Sequence, residues 1–315
     1  MSGKEFGVLL ALGAIWGASF MFIKVGGAEM EPFFLVEMRL SLAALTLILV
    51  SIADRALWRG LREHWRPLVV MGVINCAVPY TLITWGEVHI SSGLAAIYNA
   101  STPLWAAALG LVWIWAERLT VGRLAGLAVG LAGVVLVVSG NLSQNSNGTM
   151  SLLGQGAVLA AALSYAVSGI FAKRRLSGVP LRVAATGQLL AGALILLPLA
   201  ATQVPARMPS ALALGAVAVL AVLGTAIASM MYYWLIARVG ATKTMLVTYL
   251  LPVFALVWGA LFLSEAVTLP AVIGLALVML GITITSGRGS WIAARLRPRP
   301  AAGPGDEPSG PSRAA

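Results

Sequence analysis

Apolar residues along this chain are collected into blocks of about 18 to 22, separated by short polar stretches. A block of that length crosses the hydrocarbon core of a bilayer as one helix. The pattern predicts ten helices, at 6–24, 33–52, 67–86, 92–115, 122–139, 152–172, 181–201, 210–236, 243–263 and 270–287. The connections are short. The longest polar stretch between helices runs from Gly140 to Ser151, is rich in Ser and Asn, and reads as a linker between two halves. The segment after Arg288 is rich in Pro, Gly and Arg and is expected to be disordered.

Basic residues orient these blocks. Of the 21 Lys and Arg, 18 fall in one alternating set of loops and only Lys24 and Arg207 in the other, with Arg39 inside a span. The positive-inside tendency then places both termini in the cytoplasm and requires an even number of spans. This changes the meaning of the net charge of +10, which in a soluble chain suggests nucleic acid. Here it is an orientation signal, and no nucleic-acid partner is expected. Composition agrees: 59% of the 315 residues are hydrophobic and 10% are charged. A soluble domain of this size needs more charged surface. One cysteine, Cys76, excludes an intrachain disulfide and a multi-cysteine metal site. Arg far outnumbers Lys, which hints at a bacterial genome.

The halves match at a shift of about 149 residues. Trp16 falls on Tyr165, Ser19 on Ser168, Lys24 on Lys173, Trp85 on Trp234 and Pro103 on Pro252. Glu117 and Glu265, Gly126 and Gly274, and Gly133 and Gly281 follow at a shift of 148. The first block therefore has an internal counterpart and reads as a retained span, not a signal peptide. Five spans per repeat is an odd number, so the second copy enters the membrane from the other side. Repeats of that kind are related by a pseudo-two-fold axis in the membrane plane, the basis of alternating access.

Certain motifs are more specific. The first repeat opens with Ala14-Ile15-Trp16-Gly17-Ala18-Ser19-Phe20, and Arg39 in the second span precedes a Leu/Ala run. The fourth span carries Pro103 and ends in Ala116-Glu117-Arg118-Leu119-Thr120. The ninth carries Tyr249-Leu250-Leu251-Pro252 and ends in Leu263-Ser264-Glu265. In order, spacing and duplication these resemble EamA-type permeases of the drug/metabolite transporter superfamily, over about residues 6–287. The resemblance implies an all-α integral membrane protein. Ten transmembrane helices form two inverted-topology five-helix repeats (1–139 and 152–287), joined by an external linker (140–151), with a basic cytoplasmic tail (288–315). It implies a multi-pass permease of the bacterial inner membrane, often a metabolite or amino-acid exporter, with a cavity enclosed by the first, third, fourth, sixth, eighth and ninth helices. It names no substrate.

Charges in or near spans come first among the candidate residues, because a charge at a helix centre is costly. Glu37 and Arg39 sit near the external end of the second span and, two residues apart, do not share a face. They read either as an external gate, with Glu37 a proton-binding carboxylate, or as an interfacial pair. Lys24, at an external helix end, reads as a cargo-carboxylate attractor or as a partner of Glu29, Glu31 or Glu37. Glu117 and Glu265 read as loop-holding acids at helix ends, and His64 and His89 as loop residues. No acid falls at the middle of a predicted span, which disfavours a strongly cationic cargo.

Neutral and aromatic groups are the better cargo candidates: Trp16, Phe20, Asn75, Tyr80, Tyr98, Asn99, Tyr165, Ser168, Tyr232, Trp234, Thr248 and Tyr249. Asn75 and Asn99 need internal partners in hydrocarbon. Pro103 and Pro252 are expected to kink their helices and free the carbonyls of Asn99 and Thr248, beside polar side chains. Gly122, Gly126, Gly130 and Gly133 in the fifth span, and Gly274 and Gly281 in the tenth, read as close-packing faces. No metal or other cofactor is expected.

The expected activity is secondary or facilitative movement of a small organic metabolite, most simply export of an amino acid or similar amphipathic compound. Import, exchange or multidrug export are the alternatives, with a non-transporting lipid- or partner-binding membrane protein further off. An enzyme lacks material, since nothing clusters His, Asp or Cys. Direction, coupling to protons, and the choice between monomer and homodimer stay open.

Overall fold

The computed structural model describes residues 2–112, 121–142, 148–240, 244 and 246–285. The helix-end acid Glu117, the loop residue Lys243 and the tail from 288 lie outside them.

The described chain is almost entirely helical. Helices α1 (Gly3–Gly27), α2 (Pro32–Val50), α3 (Arg55–Glu63), α4 (Trp65–His89), α5 (Ser92–Asn99), α6 (Thr102–Val112) and α7 (Val121–Leu142) build the first half. Helices α8 (Gly148–Arg175), α9 (Leu181–Ala200), α10 (Ala211–Val239), α11 (Val247–Leu263) and α12 (Leu269–Thr285) build the second. Six helices, α1, α2, α4, α8, α9 and α10, are long and apolar enough to cross a membrane; α7, α11 and α12 hold shorter apolar segments. Large apolar side chains such as Leu49, Leu194, Leu212, Leu261 and Phe262 face outward, more than half exposed. Such a surface suits lipid, where only the backbone must be satisfied internally.

Packing between helices is reciprocal between the halves. The first long helix of each half, α1 or α8, packs on the third and fourth segments of the other: α1 on α10 and α11, α8 on α4, α5 and α6. Helix α2 packs against α9, and α7 against α12, each against its own counterpart. The counterparts α1 and α8 run in opposite directions. Lys24 ends α1 where α4 ends, and Gly154 near the start of α8 lies against Gly86 and His89 at that same end. At the other end Lys4 lies over the Trp234 ring, 5.9 Å from its centroid.

Glycines set the closest approaches. A Cβ on Gly281 would stand 2.5 Å from Gly130 Cα, and one on Gly133 would stand 2.7 Å from the Gly274 carbonyl. The two glycine faces read from the sequence therefore meet one another in the α7–α12 pair. In α1, a Cβ on Gly17 would stand 2.9 Å from the Leu251 carbonyl of α11.

Two sequence expectations need correction. The loop between the second and third spans contains a helix, α3, with Asp54 accepting from the Ala56 amide at its start. The predicted continuous helix 92–115 is broken at Ala100 and Ser101. The Ser101 carbonyl accepts from Leu104 N at 2.8 Å, and Pro103 occupies the first turn of the new helix. A proline is well placed there because no amide bond is lost. Pro103 thus marks a break and not a kink, and the freed Asn99 carbonyl accepts from Thr102 Oγ1 at 2.7 Å. Pro252 does lie inside α11.

Candidate functional site

Two π-helical segments mark the middle of the bundle. They are Gly72–Ala77 in α4 and Val222–Ile227 in α10, and they are 150 residues apart, within one residue of the repeat shift. A π-turn re-aims side chains out of the regular helical register. Each carries one polar side chain into the interior: Asn75 in the first, Thr225 in the second.

Each of these groups is held by the second long helix of the opposite half. Arg39 of α2 donates from Nε to Thr225 Oγ1 at 2.9 Å. Gln188 of α9, the counterpart of Arg39 at the 149-residue shift, accepts from Asn75 Nδ2 at 2.9 Å. Two cross-repeat hydrogen bonds are therefore symmetry mates in position, though one is cationic and the other neutral. Ser168 of α8 donates to Asn75 Oδ1 at 2.7 Å, and Ser164 caps the Ile74 carbonyl at 2.6 Å. Ser19, the counterpart of Ser168, lies where a Cβ on Gly224 would meet its Oγ at 2.9 Å.

Arg39 is 7% exposed, and its guanidinium carbon lies 3.9 Å from the centroid of the Tyr80 ring. Tyr80 meets Tyr165 edge-on at 6.4 Å. Among the described residues no carboxylate pairs with Arg39, and its terminal nitrogens have no protein acceptor. A desolvated cation over an aromatic face gains about 2 kcal/mol or more, well short of the cost of burying an unpaired charge. The arrangement therefore favours an added anionic group, and a guanidinium fork matches a carboxylate in two parallel hydrogen bonds.

The remaining candidates divide. Phe20, Tyr80, Tyr165 and Tyr249 belong to one central apolar cluster, with Tyr233. Trp16, Tyr232 and Trp234 belong to a separate cluster toward the Lys4 end. The Trp16 and Tyr232 rings meet there at a tilt, centroids 5.3 Å apart, and Arg238 lies over Trp234 at 5.5 Å. Tyr98 is fully buried and donates to Gln155 Oε1 at 2.8 Å. Asn99, half-buried, has an amide oxygen without a partner. Thr248 is half-buried in the first turn of α11.

Of the charged candidates, Glu37 accepts from Ser41 Oγ on another face of α2, lining a groove of about 240 Å³ with Leu190, Leu194 and Leu197 of α9. Lys24 pairs with none of the acids considered for it. Its ammonium donates to the carbonyls of Glu87 and Ile90, the latter at 2.8 Å, closing the negative end of α4. Glu29 instead accepts from Ser210 N and Oγ, both at 2.6 Å, at the start of α10. His89 ends α4 and packs against Trp85, with ring centroids 4.8 Å apart. Beside Lys24 lies a cavity of about 280 Å³, also lined by Leu94, Leu256 and Glu265.

Sequence reading missed Gln188, Thr225, Gln155 and Glu87. Carrying Arg39 forward by the repeat shift leads to Gln188. The pattern placed Glu87 just beyond its third span, whereas it lies in the last full turn of α4 and is 1% exposed.

Comparisons with known proteins agree with this architecture. One solved crystal structure superposes with a TM-score of 0.65 over 95% of this chain and 100% of its own, at 21% identity. An uncharacterized transporter of Archaeoglobus fulgidus is 23% identical over 282 residues, 89% of this chain and 98% of that protein. The uncharacterized inner membrane transporter YedA of Escherichia coli K12 is 29% identical over 265 residues, 81% of each chain. A probable terminal-alkyne amino-acid exporter of Streptantibioticus cattleyicolor is 28% identical over 280 residues, 87% of this chain and 90% of that one. The family model for EamA-like transporters matches twice, at residues 5–139 and 152–287, and the chain belongs to the EamA-like transporter family.

Proposed function

We propose that this protein is a ten-span secondary transporter of a bacterial inner membrane, with both termini cytoplasmic, that exports a small amphipathic organic acid or amino acid by alternating access. The observation that carries the reading is the pair of matched cross-repeat bonds, Arg39 to Thr225 and Asn75 to Gln188. Each ties one repeat to the other at the bundle centre, where rocking of the repeats would have to exchange contacts. Arg39 supplies the cargo-binding charge. It is buried, lies over Tyr80, and is unmatched by any carboxylate among the described residues. Tyr165, Phe20 and Tyr249 supply an apolar wall for the cargo side chain. Asn99, with its unpartnered amide oxygen, adds an acceptor for an amino group. The relative named as an amino-acid exporter supports this class of cargo.

The test is counterflow and efflux in proteoliposomes against a panel of neutral amino acids and aromatic or aliphatic carboxylates. Flux should be carried by carboxylate-bearing compounds and lost in Arg39→Ala. Absence of flux across the panel, or full activity in Arg39→Ala, would sink the reading. Reporter fusions at both termini check the sidedness separately.

A further inference from the structure

Glu87 is an ionisable group that the arrangement above leaves unused. It lies near the end of α4, is 1% exposed, and neither carboxyl oxygen has a hydrogen-bond partner. Lys24 approaches from α1, but its ammonium is bonded to backbone carbonyls. Glu265 faces the same end from the α11–α12 connection, and its carboxylate is held by Ser92 N, Ser92 Oγ and Gly93 N. Arg39 of α2 bonds Thr225, and Glu37 of α2 is turned to the α2–α9 groove. From α5 the titratable group is Tyr98, whose hydroxyl is bonded to Gln155. Helix α8 carries its charges at Lys173, Arg174 and Arg175, roughly 30 Å along from the level of Gly154 and Gln155. His89, on α4 itself, meets the Trp85 ring edge-on. Glu87 is therefore a buried carboxyl with no cation bonded to it. An ionised carboxylate in such a place has lost its hydration without compensation, and protonation relieves the cost.

A second observation extends the first. Thr84 and Thr81, one and two turns before Glu87, also have buried hydroxyls without partners. Residues three apart are neighbours along a helix surface, so the three groups form a polar row covering roughly 9 Å of rise. Tyr80, which carries the Arg39 guanidinium, stands four residues before Thr84 and so neighbours this row on the helix surface. The row links the proposed cargo site to the Lys24 end.

We propose that Glu87 is a proton-binding site of the transport cycle, neutral while the Lys24 end is packed as it is here. When that end opens, the O–H bond breaks, its electron pair stays on the carboxylate oxygen, and the proton passes to water. Lys24, released from its carbonyls, then faces the new carboxylate. This names the coupling ion of the proposed transporter and rests on that reading.

Infrared spectroscopy of the purified full-length protein in liposomes tests it. At pH 7 an ordinary glutamate, with a pKa of about 4.3, is ionised. The wild type should nevertheless show the carbonyl stretch of a neutral carboxylic acid, and Glu87→Gln should remove it. Glu37→Gln and Glu265→Gln should retain it. A wild type without that band, or a band that survives in Glu87→Gln, overturns the proposal. A second arm uses Leu94→Cys, which lines the cavity beside Lys24, in a protein whose own Cys76 is fully buried. Labelling by a membrane-impermeant maleimide rises with pH in any accessible thiol because the thiolate is the nucleophile. From pH 6 to pH 9 it should rise several-fold more than it does in the double variant with Glu87→Gln, which reads the thiol ionisation alone. An equal pH response in both overturns the coupling of the proton to opening. Counterflow by the wild type is read separately. An intact band without flux would overturn the transport reading and leave the proton site standing.

Discussion

Glu265 holds the start of a helix in the opposite repeat: its carboxylate accepts from Ser92 N and Ser92 Oγ, both at 2.8 Å. Gly93 N adds a third donor at 3.2 Å. A carboxylate at a helix N-terminus satisfies free amides and complements the helix dipole. The turn that presents it depends on Ser264, in the left-handed region at φ 54°, and on Glu265 N donating to the Gly259 carbonyl.

Removing that carboxylate leaves buried amides unpaired. Glu265→Ala should destabilise the protein by about 2–3 kcal/mol, given the usual worth of hydrogen bonds to a charged group. Glu265→Gln should cost less. Thermal unfolding in detergent, followed by tryptophan fluorescence, measures the order.

Gly259 makes room for the same contact. A Cβ there would stand 2.6 Å from Glu265 Oε2 and 2.9 Å from Ser92 Oγ. Gly259→Ala should therefore lower stability by about 1–3 kcal/mol through overpacking, despite the better helix propensity of Ala. Combined with Glu265→Ala it should cost less than the sum, since the approach to the carboxylate is gone and only the Ser92 hydroxyl, which can rotate, remains. A double-mutant cycle reads this coupling.

The α7–α12 seam makes a sharper contrast. Gly281→Ala pushes a methyl group to 2.5 Å from the Gly130 backbone, which cannot give way as a side chain can. Gly215→Ala in α10 meets nothing within 4 Å. The first should destabilise by about 1–3 kcal/mol. The second should be neutral or stabilise by up to about 1 kcal/mol. Similar melting temperatures for the two would contradict the packing described.

Thr225→Val removes the acceptor of Arg39 Nε while keeping the side-chain shape. A buried donor left unpaired costs about 1–3 kcal/mol. The counterpart change, Asn75→Leu, removes a neutral pair from the same register position. If the cationic bond belongs to the cargo site, Thr225→Val should raise the apparent KM for a carboxylate cargo more than Asn75→Leu does, at equal expression.

Hydrogen bonds from the Ser210 hydroxyl and amide hold the Glu29 carboxyl below its ordinary pKa. A depressed folded-state pKa stabilises above the unfolded value, about 4.3, and that contribution fades as pH falls through the folded value. Wild type should melt above Glu29→Gln at pH 6, and the gap should close on acidification below about pH 4.3. A gap that widens in acid would reverse the assignment.

Much of this was legible because lipid imposes a simple pattern. Long apolar blocks, a one-sided distribution of Arg and a 149-residue self-match led to a helical membrane protein with duplicated halves, and the family match covers both halves. The glycine faces were legible too, since close backbone approach tolerates few residue types. Hydropathy was silent on the break at Ala100 and Ser101, because Ala, Ser and Thr suit a helix and a cap alike. It was equally silent on the π segments, where a local change of hydrogen-bond register leaves no mark in an apolar run.

By itself, then, the sequence determined the helical class, the repeat and the small-residue seams. These follow from composition and period, which each residue carries with it. Only the tertiary structure decided which polar groups meet. Arg39 reaches Thr225 across 186 positions, Lys24 turns to the end of α4, and Glu87 is left buried without a partner. Such pairings depend on which helix faces pack together, a property of the folded bundle that the sequence order of the residues does not display.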